Sequence, residues 1–210
     1  HRHLQPHQHV GGGRIVLQSW HGGRACHADY NDGAQPVGPS PIAITNNELR
    51  TPDGKQPYVT PRELRDDEIP AIVAGFGKAA ANARAAGFDG VEVHGANGYL
   101  LDEFLRDGAN RRSGPYGGPL ENRARLLLEV LDATCAVWGA DRVGLRLSPL
   151  NSFNSMMDSD PVGLVTWLAG RLNAYKLAYL HVMRADFLGQ QKGDVLTPAR
   201  QAYEGVLIGN

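Results

Sequence analysis

The segment His94-Gly95-Ala96-Asn97-Gly98-Tyr99-Leu100-Leu101 decides how this chain is interpreted. The preceding run, Gly90-Val91-Glu92-Val93, predicts a short buried strand, so the segment stands where a strand ends. Because period-two alternation stops there, the imidazole, the carboxamide and the phenol can converge on one pocket at the strand's carboxyl end. Two neutral donors can hold a carbonyl or nitro oxygen where negative charge develops, and a phenol beside them can deliver a proton. The pattern therefore predicts a site for enolate-like intermediates.

Strand-like runs alternate with helical patterns along the rest of the chain, which predicts a parallel α/β sheet. One helix is predicted from the apolar spacing of Ile69, Ile72, Val73, Phe76, Ala80 and Ala83, with Gly87 ending it. A second is predicted from Leu127, Leu131, Cys135 and Trp138. Helix starts are predicted at Thr60-Pro61-Arg62-Glu63, a capping-box pattern, and at Asp160-Pro161 and Thr197-Pro198. The predicted strands are Arg14–Gln18, Gly90–His94, Arg142–Leu147, Tyr179–Met183 and Gly205–Gly209.

Two segments predict irregular structure. Residues 22–60 are rich in proline, glycine and asparagine, which predicts a long surface loop between the first strand and its helix. Residues 1–12 predict an irregular end. His1–His9 is histidine-rich, and a frayed terminus explains it better than a metal site does. We therefore expect no metal.

Composition limits the function classes. The chain has 210 residues, a net charge of −1 and two cysteines, Cys26 and Cys135. Interspersed charges give no footprint for nucleic acid, and no apolar run approaches the roughly 20 residues that span a bilayer. Two distant cysteines without metal-like spacing are expected to be reduced thiols of a cytoplasmic protein. We expect residues 1–210 to form a single domain. Assembly of the protein into a homo-oligomer is left open.

The chain resembles the Old Yellow Enzyme family of flavin-dependent ene-reductases along nearly its whole length. The resemblance rests on five motifs in the family's order and spacing, of which the first segment above is one. Pro115 precedes Tyr116 at a position where the family usually has an acidic residue. The other four motifs are Arg14–Arg24, Tyr116–Arg125, Gly144–Pro149 and Tyr179–Val182.

The resemblance implies a TIM (β/α)8 barrel that binds FMN and takes hydride from NADH or NADPH. The five predicted strands would be the third to seventh of eight, so we expect an incomplete barrel with two open sheet edges. A complete barrel typically has about 250 residues, and this sequence is expected to be truncated at both ends. The loop at 22–60 would lie at the mouth of the site.

The resemblance also assigns roles to the candidate residues. His94 and Asn97 would hold the substrate oxygen, Tyr99 would donate a proton, and Gln18 and Arg146 would contact the polar edge of the flavin. Trp20 would form one wall of the substrate pocket, and Phe153 is a further candidate. The residues alone leave other interpretations open: a core histidine and a turn asparagine, a boundary tyrosine, a rim arginine paired with a carboxylate, and a core tryptophan. Glu92 shares the inward parity of His94 on its strand, and its role is left open between orienting that ring and pairing with a nearby cation. His181 is interpreted as structural.

The activity expected from the resemblance is reduction of an activated alkene such as an enone, a nitroalkene or a maleimide. The alternative is a non-catalytic remnant that cannot hold FMN by itself. A third hypothesis, an aldolase-like barrel, lacks a lysine at a strand end, since Lys176 precedes its strand and Lys192 follows in a loop.

Overall fold

The computed structural model describes residues 12–210, so the expectations for His1–His9 and for nearly all of residues 1–12 lie outside the described residues. At least one helix separates each of the five predicted strands from the next, as expected, and four further short strands lie between residues 37 and 63. The strands are β1 (Val16–Ser19), β2 (Val37–Gly38), β3 (Glu48–Thr51), β4 (Gly54–Pro57), β5 (Arg62–Glu63), β6 (Gly90–Gly95), β7 (Val143–Leu147), β8 (Tyr179–Val182) and β9 (Leu207–Gly209). The helices are α1 (Ile69–Ala85), α2 (Leu100–Leu105), α3 (Leu120–Arg123), α4 (Arg125–Trp138), α5 (Pro161–Leu172) and α6 (Leu196–Ala202).

A five-stranded sheet in the order β1-β6-β7-β8-β9 forms the centre of the molecule, and every pairing in it is parallel. The five predicted strands are confirmed, with ends displaced by at most two residues. All six residues of β6 are buried, as expected of a parallel strand covered on both faces. Within residues 12–210, β1 and β9 each have one neighbouring strand, so each presents one open edge.

Helices α1 and α4 pack against each other beside this sheet. The predicted apolar faces are confirmed: Phe76 and Leu127 are buried, and the Trp138 indole N–H donates to the Ala80 carbonyl at 2.9 Å. Gly87 follows α1 with a positive φ of 84°, a conformation that glycine adopts without strain. The interhelical hydrogen bond fixes the two helices in register.

The helix predicted to start at Thr60-Pro61-Arg62-Glu63 is wrong. Arg62–Glu63 is instead a short strand paired with Val37–Gly38, and the helix begins at Ile69. Glu68 forms the hydrogen bonds that precede this helix. Its carboxylate accepts the Arg65 amide N–H at 2.8 Å and two hydrogen bonds from the Arg62 guanidinium. The sequence has a capping pattern at Thr60–Glu63, but pairing with Val37–Gly38 keeps Arg62 and Glu63 extended.

The two later helix starts lie close to their predicted positions. Asp160 precedes α5 and its carboxylate accepts the Gly163 amide at 2.8 Å. Helix α6 begins at Leu196, one residue before the predicted Thr197, because the Asp194 carboxylate accepts the amides of both residues. Side-chain acceptors at these ends satisfy N–H groups that have no partner inside the helix.

The loop at 22–60 is largely irregular, as predicted, but contains the antiparallel hairpin β3–β4. Arg24 fastens it to the body: this side chain is 1% exposed and donates to the carbonyls of Ile42 and Asn154. Its backbone N–H donates to the buried Glu103 carboxylate at 2.9 Å. The loop therefore packs beside the segment that follows β7, at the carboxyl edge of the sheet.

Candidate functional site

A cavity of about 670 Å³ lies at the carboxyl ends of the central strands. All six residues predicted for the site line it, together with Phe153. Residues 22–60 contribute no side chain to the lining described for this cavity. The lining residues are Gln18, Trp20, His94, Asn97, Tyr99, Arg146, Asn151, Phe153, Phe187 and Leu188.

Strand register brings distant parts of the sequence together at this cavity. Gln18 on β1 is opposite Glu92 on β6, His94 is opposite Arg146 on β7, and Arg146 is opposite His181 on β8. Because residues two apart share a face of a strand, Glu92 and His94 project to the same side. Neighbouring parallel strands thus place their polar side chains on one surface.

His94 is a buried imidazole with an unpaired polar atom. The residue is 6% exposed, and its Nδ1 has no hydrogen-bond partner among the described residues. Burial, together with the positive charge of Arg146, lowers the pKa of His94 to about 4. The ring is therefore neutral at pH 7, and it presents a polar nitrogen that a ligand atom can satisfy.

Asn97 is a turn residue and also lines the cavity. Its φ is +60°, in the left-handed region that asparagine tolerates better than most residues. The Ser148 hydroxyl accepts its backbone N–H at 2.7 Å, and the Asn154 amide donates to its carbonyl. The backbone is thereby fixed while the carboxamide faces the cavity.

Tyr99 stands between two other rings of the cavity. Its ring centroid is 4.6 Å from that of Trp20, edge to face, and 5.4 Å from that of His94. Burial raises the pKa of the Tyr99 phenol, so its proton is retained at neutral pH. Trp20 is 56% exposed, which makes it a cavity wall and excludes the core interpretation.

Arg146 belongs to a polar cluster that the sequence analysis did not assemble. Its guanidinium contacts the His181 ring nitrogens at 3.0 and 2.5 Å, and among the described residues its hydrogen bonds go to His181 and Met183 rather than to a carboxylate. The Glu92 carboxylate accepts from Gln18 Nε2 at 2.6 Å and lies 3.1 Å from His181 Nδ1. Glu92 therefore orients Gln18 and His181, rather than the His94 ring.

Apolar side chains complete the cavity. Phe153, Phe187 and Leu188 are exposed, at 37%, 78% and 50%. The last two extend from a turn organised by Asp186, whose carboxylate accepts from Ser152 and from the Leu188 amide. Burial opposes ionisation of Asp186, but these hydrogen bonds lower its pKa to about 2. An ionised carboxylate thus holds apolar groups at the cavity rim.

Sequence reasoning missed Glu92 and His181 as site residues, and also Asn151, Phe187 and Leu188. A usable signal existed for two of them, since Phe187-Leu188 is an apolar pair in a polar segment just after a strand, where parallel barrels place functional loops. The roles of Glu92 and His181 depend on the register of four strands.

The fold and the cavity define a class: a parallel α/β sheet of barrel type with a cavity at the carboxyl ends of its strands. Residues 1–198 match the NADH:flavin oxidoreductase / NADH oxidase family, and the chain belongs to that family. Its architecture is that of a partial (β/α)8 barrel, with five parallel strands and their helices.

Named relatives agree with this assignment. A probable flavin mononucleotide-dependent alkene reductase from Leishmania infantum is 47% identical over 205 residues, which are 95% of this chain and 56% of the relative. Morphinone reductase superposes with a TM-score of 0.90 at 43% identity, covering 96% of this chain and 56% of that one. The old yellow enzyme from Trypanosoma cruzi has a TM-score of 0.89 at 41% identity, covering 96% and 58%. The chain thus spans about half the length of the relatives it matches.

Proposed function

We propose that the protein containing this chain is an FMN-dependent ene-reductase, which reduces activated C=C bonds with hydride from NADH or NADPH. The substrate class is an alkene conjugated to an electron-withdrawing group: an enone, a nitroalkene or a maleimide. Support comes from the family and from relatives described as FMN-dependent or alkene reductases. A similar solved structure, that of morphinone reductase, was determined in complex with tetrahydroNAD.

The single observation that carries the proposal is the neutral, buried His94, whose Nδ1 has no hydrogen-bond partner within residues 12–210, beside Asn97 and Tyr99 in one cavity. A neutral imidazole and a carboxamide can stabilise negative charge on a substrate oxygen without an ion pair. The Tyr99 phenol, which keeps its proton at neutral pH, can supply it to the substrate. These three groups suit an acceptor that becomes electron-rich at one oxygen and basic at one carbon.

The described residues also fit a flavin. The cavity combines polar groups, the Gln18 amide and the Arg146 guanidinium, with the aromatic surfaces of Trp20 and Phe153. Gln18 and Arg146 would hold the polar edge of the ring, where a fixed guanidinium favours negative charge. Bound FMN would supply the hydride that is added to the substrate's β-carbon.

The remaining steps belong to side chains of this chain. His94 and Asn97 would bind the activating group and orient the alkene. The Tyr99 hydroxyl would transfer its proton to the α-carbon, and the phenolate would recover a proton from water. The apolar rim of Phe153, Phe187 and Leu188 would exclude water from the reacting atoms.

A non-catalytic remnant that cannot hold FMN by itself is the second candidate. Within residues 12–210, β1 and β9 each have an unpaired edge, so these five strands by themselves do not close a barrel. An aldolase-like enzyme is not proposed, since no lysine is among the residues that line the described cavity.

The visible spectrum of the purified native protein separates the two candidates. An ene-reductase should copurify with, or take up, one FMN, turn yellow and bleach when NADH or NADPH is added without oxygen. Reoxidation by a nitroalkene or an enone should restore the colour. A folded protein that stays colourless with added FMN would support the remnant.

Within residues 12–210 no helix combines the length and apolarity needed to cross a membrane. We propose that the protein acts in the cytoplasm on small molecules. Both cysteines are free thiols, which supports a reducing compartment.

A further inference from the structure

Glu92 occupies the centre of the cluster formed by Gln18, Glu92, Arg146 and His181, which we call the Arg146 group. It is 8% exposed, yet it carries a carboxylate with hydrogen-bond partners on two other strands. Gly144, its register partner on β7, leaves space for the Tyr179 ring, which a Cβ at that position would overlap. Burial and the adjacent Glu92 carboxylate raise the pKa of the Tyr179 phenol, so a third donor is protonated beside it.

The hydrogen bond between Glu92 and Gln18 decides the orientation of the Gln18 amide. A glutamine amide can present either its oxygen or its nitrogen to a neighbour, and the hydrogen-bond network determines which. Because Glu92 requires a donor, Gln18 turns Nε2 toward it at 2.6 Å. The Gln18 oxygen is thereby directed away from Glu92, as an acceptor on a residue that lines the cavity.

His181 connects Glu92 to Arg146. Its Nδ1 lies 3.1 Å from the Glu92 carboxylate. Its Nε2 lies 2.5 Å from an Arg146 guanidinium nitrogen and 3.1 Å from Asn210 Oδ1, so the imidazole is held between the carboxylate and the guanidinium.

We propose that Glu92 is a positioning residue for the flavin site: it fixes the acceptor face of Gln18 directly and the guanidinium of Arg146 through His181. The inference rests on the proposed function, because Gln18 and Arg146 are assigned there to the polar edge of FMN. Glu92 touches neither substrate nor flavin in this account. Its effect would be to leave the Gln18 oxygen as an acceptor for an N–H of the flavin ring and the Arg146 guanidinium as a donor to oxygens of that ring.

The test is a double-mutant cycle on FMN affinity, measured by quenching of flavin fluorescence on titration into the flavin-free native protein. We expect Glu92→Gln, which leaves Gln18 free to reverse its amide, to raise the FMN dissociation constant about tenfold, or about 1.4 kcal/mol. Gln18→Ala should have a similar effect. The double variant should lose about tenfold rather than a hundredfold, since both changes remove the same contact. Glu92→Gln should also shift the flavin absorption maxima, which a purely structural residue would leave in place.

Glu129→Gln is the matched control. Glu129 accepts a hydrogen bond from the Tyr116 hydroxyl at 3.1 Å and does not line the described cavity. The FMN affinity of the Glu129→Gln variant should therefore equal that of the unaltered protein. If Glu92→Gln does not fold, the second arm replaces it: His181→Asn and Arg146→Ala should also be non-additive, each weakening FMN several-fold.

Outcomes separate this inference from the proposed function. Unaltered FMN affinity and spectrum in Glu92→Gln, or losses that multiply in the double variant, would overturn the positioning role while alkene reduction by the unaltered protein still supported the function. If His181→Asn and Arg146→Ala are used instead, losses of FMN affinity that multiply in their double variant would also overturn the positioning role. A native protein that binds no FMN would overturn both.

Discussion

Two groups of side chains share the cavity, and they differ in how many of their polar atoms already have partners. The Arg146 group is connected by hydrogen bonds across four strands, from Gln18 on β1 to His181 on β8. The second set, His94, Asn97 and Tyr99, which we call the His94 group, contains an Nδ1 that no residue in the described part of the chain pairs with. A connected group suits a cofactor held in one orientation. A group with open hydrogen-bonding capacity suits a substrate that must enter and leave.

The largest effect should come from Tyr99→Phe, which removes the proton donor of the His94 group. Alkene reduction should fall about 10²- to 10⁴-fold, the usual contribution of a positioned acid. Reduction of the flavin by NADH or NADPH should be nearly unchanged, because that step needs no proton from Tyr99. Stopped-flow measurement of the two half-reactions checks this.

Tyr30→Phe is the control for this variant, since Tyr30 is 57% exposed, does not line the described cavity and donates its hydroxyl to the Arg50 carbonyl within the loop at 22–60. An equal loss in both half-reactions of Tyr99→Phe would contradict the division between the two groups.

A smaller effect is expected from removing the carboxamide of Asn97, and two substitutions separate its roles. Asn97→Gly and Asn97→Ala should both lower kcat/KM about 10²- to 10³-fold, because each removes one donor. Only Asn97→Ala should also lower the free energy of unfolding, by about 1 kcal/mol, since alanine disfavours the φ of +60°.

Kinetics and urea unfolding of the two Asn97 variants check this. Near-normal kcat/KM in Asn97→Gly would reduce Asn97 to a turn residue.

The third prediction concerns pH. The pKa of His94 falls from 6.5 to about 4 on folding, so the unfolded chain takes up the proton first as pH decreases. The stabilisation from a neutral His94 is present above pH 6.5 and is lost as pH falls from 6.5 to about 4, on the order of 3 kcal/mol in total.

The free energies of unfolding of the unaltered protein and of His94→Asn are compared at pH 7 and pH 5. The difference between the two proteins separates the contribution of His94 from that of other titrating groups. His94→Asn should show a weaker loss of stability at pH 5. Identical pH dependence in both proteins would mean that His94 is not held neutral by the fold.

The smallest effect is expected at the rim. Phe187 is 78% exposed, so Phe187→Ala should leave the free energy of unfolding within about 0.5 kcal/mol. KM for a bulky apolar alkene should rise several-fold, while KM for a small one should change little. Steady-state kinetics with two alkenes of different size check this, and equal changes for both would remove Phe187 from substrate selection.

The sequence predicted the sheet well because each strand is a short run with apolar residues between helical patterns, and β6, which is buried along its whole length, is the clearest case. The His94 group was predictable because its three residues lie within six positions at the carboxyl end of that strand. The helix start at Thr60 failed because long-range pairing with Val37–Gly38 outweighed a local capping pattern.

The connections of Glu92 could not be predicted from spacing. Its partners Gln18 and His181 are 74 and 89 residues away in sequence, and their contact depends on the register of neighbouring strands. Parity places Glu92 and His94 on the same face, but the contacts of the Glu92 carboxylate with Gln18 and His181 arise from two other strands.

The central claim is that one cavity holds a flavin against the Arg146 group and leaves the His94 group for the substrate. A crystal structure of the native protein soaked with FMN tests this most directly. The account predicts flavin density in this cavity, with its polar edge on Gln18 and Arg146 and with His94 and Asn97 still open to a second molecule. Density for FMN elsewhere, or a flavin ring bonded to His94 and Asn97 instead, would contradict it.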